Sequence, residues 1–229
     1  MDHQENNSAA KPELSLDDRV IAQLGDLHVC QVGQSNLEKY TQFIYNVYVE
    51  SFSKRSGWQP SQKDYEYMLE IDRLHFPYSH YFVFKDQEGN YVSGGKITRK
   101  VPKLQFNIET KFHYDLDQYF AEANIPVRNY WHIGRLATDK QALKNARTSV
   151  SSLQILNKLV EIFGTVVTKD KHNIVIAELD ALAYRIFKTM GINVQRMGEG
   201  VESLGSLKYP VYVLAKDIRH WMHTQSLQK

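Results

Sequence analysis

The tract Ile174-Val175-Ile176-Ala177-Glu178 constrains the fold most, because it is apolar on both faces of any pleat until its last residue. Such a strand needs cover above and below, which places it at the centre of a sheet with helices on both faces. Asp180 follows as an N-cap, helix-period residues run to Met190, and Gly191 supplies the stop. Two more strands are expected near 193–196 and 209–214.

The same logic reads back along the chain. Residues 27–32 form an expected first strand. A helix over 36–53 places Leu37, Tyr40, Ile44, Val47 and Tyr48 on one face. Ser61 and Asp64 have capping-box spacing for a second helix to about Leu74. Residues 81–85 and 91–99 flank Gln87-Glu88-Gly89-Asn90 as a hairpin. A helix over 109–123, a strand over 130–138 and an amphipathic helix over 151–163, stopping near Gly164, complete the order. A hairpin followed by strand–helix–strand units implies a mixed α/β sheet in one domain. The expected division is a largely flexible segment over 1–24, the domain over 25–215 and a tail over 216–229 with helical character.

The chain has 229 residues, and no apolar run approaches a membrane span of roughly 18 residues. One cysteine, Cys30, makes no internal disulfide, which fits a reducing, cytoplasmic setting. A net charge of +2 is too small to argue for a nucleic-acid partner by itself, and none is expected. The basic residues are nevertheless clustered: Lys96, Arg99, Lys100 and Lys103, then Arg135, Lys140, Lys144, Arg147 and Lys158 against Asp139. Either two solvated faces or one patch for an acidic partner would account for them. The histidines show no metal-ligand spacing, and no metal is expected.

Two tracts carry a family resemblance. One is Trp131-His132-Ile133-Gly134-Arg135-Leu136-Ala137-Thr138. The other runs from Ala177-Glu178-Leu179-Asp180 through Met190-Gly191-Ile192 and Gly198-Glu199 to Leu204-Gly205 and Tyr209-Pro210-Val211-Tyr212-Val213. With the element order, they resemble the GNAT acyltransferases, within the branch of acyl-homoserine-lactone and N-acyl amino acid synthases. The resemblance spans about 27–214 and implies a GNAT-like mixed central sheet. Phe52 and Trp58 match an aromatic pair of the lactone synthases, and Asp72 and Arg135 match two of their charged positions. Tyr48, His75 and His132 stand where that family carries Arg, an acid and Glu. This pattern implies an acceptor other than S-adenosylmethionine and favours the N-acyl amino acid synthases. A family arginine on the third strand corresponds to Arg99, with Lys96 as the alternative. The glycine-rich pyrophosphate loop of ordinary GNAT enzymes is replaced by Lys144-Asn145-Ala146-Arg147-Thr148-Ser149. Its loss favours an acyl carrier protein over coenzyme A as the holder of the acyl-phosphopantetheine thioester.

The resemblance implies roles for individual residues, each with an ordinary alternative. Leu136, Ala137 and Thr138 either present backbone N–H groups to the donor at a bulge or are plain ladder residues. Lys144 and Arg147 would meet the acidic helix of the carrier protein. His132 is a candidate general base, since a neutral imidazole takes a proton near neutral pH, or else a satisfied core histidine. Strand alternation puts His132, Gly134 and Leu136 on one face and Arg135 on the other, unless a bulge intervenes. Arg135 either grips the acceptor's carboxylate or bridges an acid across the sheet. Glu178 either orients the amine or caps the next helix with Asp180, the cap being preferred. Phe52 and Trp58 either close over the substrate or pack, and Asp72 and Arg99 belong with the acceptor side. The expected activity is transfer of a fatty acyl group from acyl carrier protein to a small amine such as an amino acid. A coenzyme A-dependent acyltransferase and a non-catalytic binding domain are the rivals.

Overall fold

In a computed structural model, residues 15–203 and 206–227 are described, without the side chains of 55 and 56. The Leu204-Gly205 step and residues 1–14 of the N-terminal segment lie outside that range.

Strands β1 (Arg19–Leu24), β2 (Leu27–Gln31), β3 (Ser79–Lys85), β4 (Tyr91–Arg99) and β5 (Tyr130–Thr138) form an antiparallel run. Strand β5 then pairs parallel with β6 (Ile174–Asp180). Strand β9 (Ser206–Leu214) follows antiparallel and carries the short strands β7 (Gln195–Arg196) and β8 (Val201–Ser203). The expected central position of the 174–178 tract holds: β6 lies between β5 and β9.

Helices α1 (Leu37–Ser56) and α2 (Gln62–His75) cover one face, and the short helices α3 (Asn107–Thr110) and α4 (Leu116–Glu122) continue that layer. Helices α6 (Ser152–Val167), α7 (Ala181–Thr189) and α8 (Ala215–Leu227) cover the other. Helix α5 (Lys140–Asn145), absent from the sequence reading, follows β5. Ser61 and Asp64 close the expected capping box on α2, and Ser151 with Gln154 closes another on α6. Each such cap contributes about 1 kcal/mol.

Three expectations change. Arg19–Leu24 is an edge strand, because its main chain pairs with β2 despite polar neighbours. The 109–123 stretch breaks into α3 and α4 around His113, whose φ is 58°. Helix α6 runs through Gly164 to Val167. That glycine has a packing role: a Cβ there would collide with Met222 Sδ and lie 3.1 Å from Ile218 Cγ2, both on α8. The 216–229 segment forms the helix α8 over Ala215–Leu227, with Ile218 and Trp221 buried in the core shared with α6.

Candidate active site

Register between β4 and β5 slips at one place. Gly94 faces Ala137 and Lys96 faces Gly134, so Gly95 alone opposes both Arg135 and Leu136. The extra residue on β5 is a β-bulge, and Arg135 takes the left-handed φ of 59°. A non-glycine residue held there carries about 1–3 kcal/mol of strain. The bulge breaks strict alternation. Arg135, expected opposite His132 unless a bulge intervened, turns to the same side, while Leu136 packs toward Phe163 on the α6 side.

Pairing between β5 and β6 stops early. The recorded pairs are Tyr130 with Ile174, Trp131 with Val175 and His132 with Ile176, although both strands continue for several residues. The parting strands open into a cavity of about 600 Å³ beneath α1 and α2. His75, Lys96, His132, Arg135, Glu178 and Lys208 line its polar part, and Tyr45, Tyr48, Phe52 and Trp58 line an aromatic wall.

A buried charge cluster forms one side. Asp72, on α2, has no exposed side-chain surface and accepts from Lys96 Nζ at 2.8 Å and from Arg135 Nε at 3.2 and 3.1 Å. Thr41 Oγ1 at 3.1 Å and Tyr81 OH at 3.2 Å also donate to it. Burial pushes the Asp72 carboxyl up, but Arg135 and Lys96 outweigh it and hold it well below the usual carboxylate range. Burial lowers Lys96 to about 8, against the opposing pull of Asp72. Arg135 thus bridges an acid across the layers, one of the two readings open in the sequence. Asp72 acts on the cavity through Lys96 and Arg135 and does not line it. Arg99 is corrected as well: it shares the face of Ile97, and Lys96 is the strand residue that reaches the cavity.

On the other side, His132 Nε2 lies 3.1 and 3.3 Å from the two oxygens of Glu178. A carboxylate only accepts, so Nε2 carries a proton, and in the neutral ring Nδ1 keeps the lone pair. Nδ1 is buried without a hydrogen-bond partner among the described residues. Phe106 stacks on the ring at 4.5 Å between centroids, fixing its plane. Gly134 packs close along the Nδ1 edge, where a Cβ would sit 3.2 Å from His132 Cε1 and 3.6 Å from Nδ1. Burial raises the Glu178 carboxyl, but His132, Lys208 and the Ile108 N–H hold it below its ordinary value. The preferred sequence reading of Glu178 as a cap fails, because Asp180 alone caps α7, accepting from Ala183 N at 2.7 Å.

No family model matches this sequence, and no curated protein matches it. Solved structures do match. FeeM, an N-acyl amino acid synthase from uncultured soil microbes, is 9% identical with a TM-score of 0.64, over 89% of this chain and 100% of that one. The acyl-homoserine-lactone synthase LasI is 13% identical with a TM-score of 0.53, over 86% of this chain and 91% of that one. BjaI, a coenzyme A-dependent acyl-homoserine lactone synthase, is 13% identical with a TM-score of 0.50, over 83% and 82%. The fold is the GNAT fold.

Within this GNAT fold the remaining expected residues separate. Phe52 and Trp58 line the cavity, as does Leu136, whereas Ala137 and Thr138 do not. Thr138 instead meets Ser93 Oγ at 2.9 Å. Lys144 and Arg147 are exposed on α5 and the turn after it. Tyr48, raised to about 12 chiefly by burial, stays a neutral phenol where the lactone synthases carry a charge. Sequence reasoning gave no role to His75 or Lys208. The available signal for His75 was its i+3 spacing from Asp72, which puts both on one side of α2. Among the described residues no group of His, Cys, Asp or Glu is arranged to hold a metal, and no helix is long and apolar enough to cross a membrane.

Proposed function

We propose that this chain is an N-acyltransferase that moves a fatty acyl group from the pantetheine thioester of acyl carrier protein to the amine of an amino acid. The His132–Glu178 pair, set where β5 and β6 part, is the observation that carries the reading. Glu178 fixes the tautomer, and the unpaired lone pair of Nδ1 is the base. The acceptor enters as a neutral amine and attacks the thioester carbonyl. The C–N bond forms, the amine proton passes to Nδ1, and the C–S bond breaks as the tetrahedral intermediate collapses. The thiolate leaves and recovers that proton. General base assistance of this kind contributes roughly 10²–10⁴ in rate.

The chain's other residues bind and orient. The edge of β5 beyond His132 faces the parted β6, so its backbone groups are available to the pantetheine arm and the developing oxyanion. Lys96 and Arg135 set two positive charges against the single negative charge of Asp72. That surplus suits an acceptor carrying a carboxylate. The aromatic wall keeps water from the thioester. Exposed Lys144 and Arg147 suit the acidic helix of a carrier protein. Cys30 is 2% exposed on β2 and outside the cavity lining, which favours direct transfer over an acyl-enzyme.

The test is thiol release from acyl carrier protein and from acyl-coenzyme A with a panel of amino acids, with products read by mass spectrometry. Faster release from the carrier protein, with an N-acyl amino acid formed, is the expected result. Release from coenzyme A alone would transfer the reading to that donor. No release from either would leave a binding domain.

A further inference from the structure

The two cavity histidines are held in opposite senses. His132 donates through Nε2 to Glu178 and keeps Nδ1 as an acceptor. On α2, His75 Nδ1 lies 3.2 Å from Lys96 Nζ. An ammonium only donates, so His75 Nδ1 must be the accepting nitrogen and Nε2 must carry the proton. Burial and the neighbouring Lys96 charge lower His75 to about 2, so the ring stays neutral across the working range. The ring lines the cavity, and no hydrogen bond holds Nε2 among the described residues. Phe106 ties both rings into one unit, stacking on His132 at 4.5 Å and meeting His75 edge-on at 5.5 Å.

We propose that His75 is a specificity-determining residue whose Nε2–H binds an anionic oxygen of the acceptor, while His132 Nδ1 addresses the acceptor's amine. This rests on the acyltransferase reading and names which groups of the acceptor are recognised and by what. A fixed donor and a fixed acceptor in one cavity match a molecule carrying an anionic oxygen beside an amine. Neither ring can exchange roles, because Glu178 holds one tautomer and Lys96 the other. Discrimination is therefore strong: a decarboxylated amine leaves the His75 donor unpaired.

The experiment compares an amino acid with its decarboxylated amine as acceptors, in wild type and in the variants His75→Asn and His75→Gln. Asparagine keeps an acceptor for Lys96 near Nδ1 but removes the donor at Nε2, whereas glutamine carries an N–H donor near Nε2. The preference for the amino acid in kcat/KM falls roughly 10- to 100-fold in His75→Asn, mainly through KM, and returns largely in His75→Gln. Equal discrimination in His75→Asn and wild type would overturn the assignment. A second readout does not depend on turnover. With ¹⁵N-labelled histidine at pH 7, His75 shows a protonated Nε2 and a bare Nδ1, and the amino acid shifts Nε2 while its decarboxylated amine does not. A ring protonated at Nδ1, or one unmoved by the carboxylate, would refute the proposal. The expected spectra without acyl transfer to any amine would refute the acyltransferase reading and leave the anion site standing.

Discussion

Arg135 Nε reaches both oxygens of Asp72, at 3.2 and 3.1 Å, from a left-handed residue of β5 to a fully buried carboxylate on α2. The contact joins the sheet to the helix layer above the cavity. It gives the bulge a partner that a glycine at the same place would lack.

Asp72→Asn leaves two buried cations facing a neutral amide. We expect a stability loss of about 3–5 kcal/mol by urea denaturation, since removing one partner of a buried pair strands the other. The pH sign follows from the depressed carboxyl. Because its folded pKa lies below the unfolded one, its contribution is complete above about pH 4 and is lost as pH falls through the folded value. Acid titration of wild type should show this loss, and the variant should lack it.

Lys96, at about 8, is charged below that pH and neutral above it. The positive surplus on the cavity wall therefore disappears as pH rises. We expect kcat/KM for an amino acid to fall above pH 8, and Lys96→Arg to move that limb to higher pH. An unshifted limb in the variant would assign the titration to another group.

Glu178→Gln removes the charge that fixes His132 and permits the wrong tautomer. A fall in kcat of about 10²–10⁴ is expected, with unfolding little changed. Gly134→Ala acts on the other edge of the ring, its Cβ 3.2 Å from Cε1, and should lower kcat without removing any catalytic group. Stopped-flow measurement of thiol release separates these effects from binding.

Charge reversal at Lys144 and Arg147 should raise KM for acyl carrier protein and leave free pantetheine thioesters unaffected. Both residues are exposed on a short helix and the turn after it, so folding should be preserved. Equal losses with the two donors would show that the helix itself has been disturbed.

Gly164→Ala should destabilise the fold by about 1–3 kcal/mol, although alanine favours helix, because its Cβ meets Met222 and Ile218. Adding Met222→Ala should recover part of that loss. Thermal melts of the single and double variants provide the comparison.

Elements were legible where local chemistry decided them. The strand over 130–138 and the Ser61–Asp64 cap stand where hydrophobic pattern and capping residues place them. Gly164 misled because its glycine answers to α8, a contact more than fifty residues away. The site was harder. His132, Arg135 and Glu178 were all candidates, but pleat alternation cannot place a bulge to the residue, so the face of Arg135 depended on one that only the register of β4 on β5 locates. Lys96 and Arg99 are equally basic, and only the register of β4 on β5 separates them. His75 became interpretable only once Lys96 Nζ was seen against one of its nitrogens.

The three recorded residue pairs between β5 and β6 act as the spine of a half-open book. One cover is the antiparallel run from β1 to β5, and the other is β6 with β9 and its short companions. A pantetheine arm lying along the free edge of β5 would serve as a temporary strand, fastening the two covers above the spine. Donor binding would then be felt across the whole sheet. Amide exchange in β9 should slow with that in β6 when the thioester arrives, although β9 lies one strand beyond the arm.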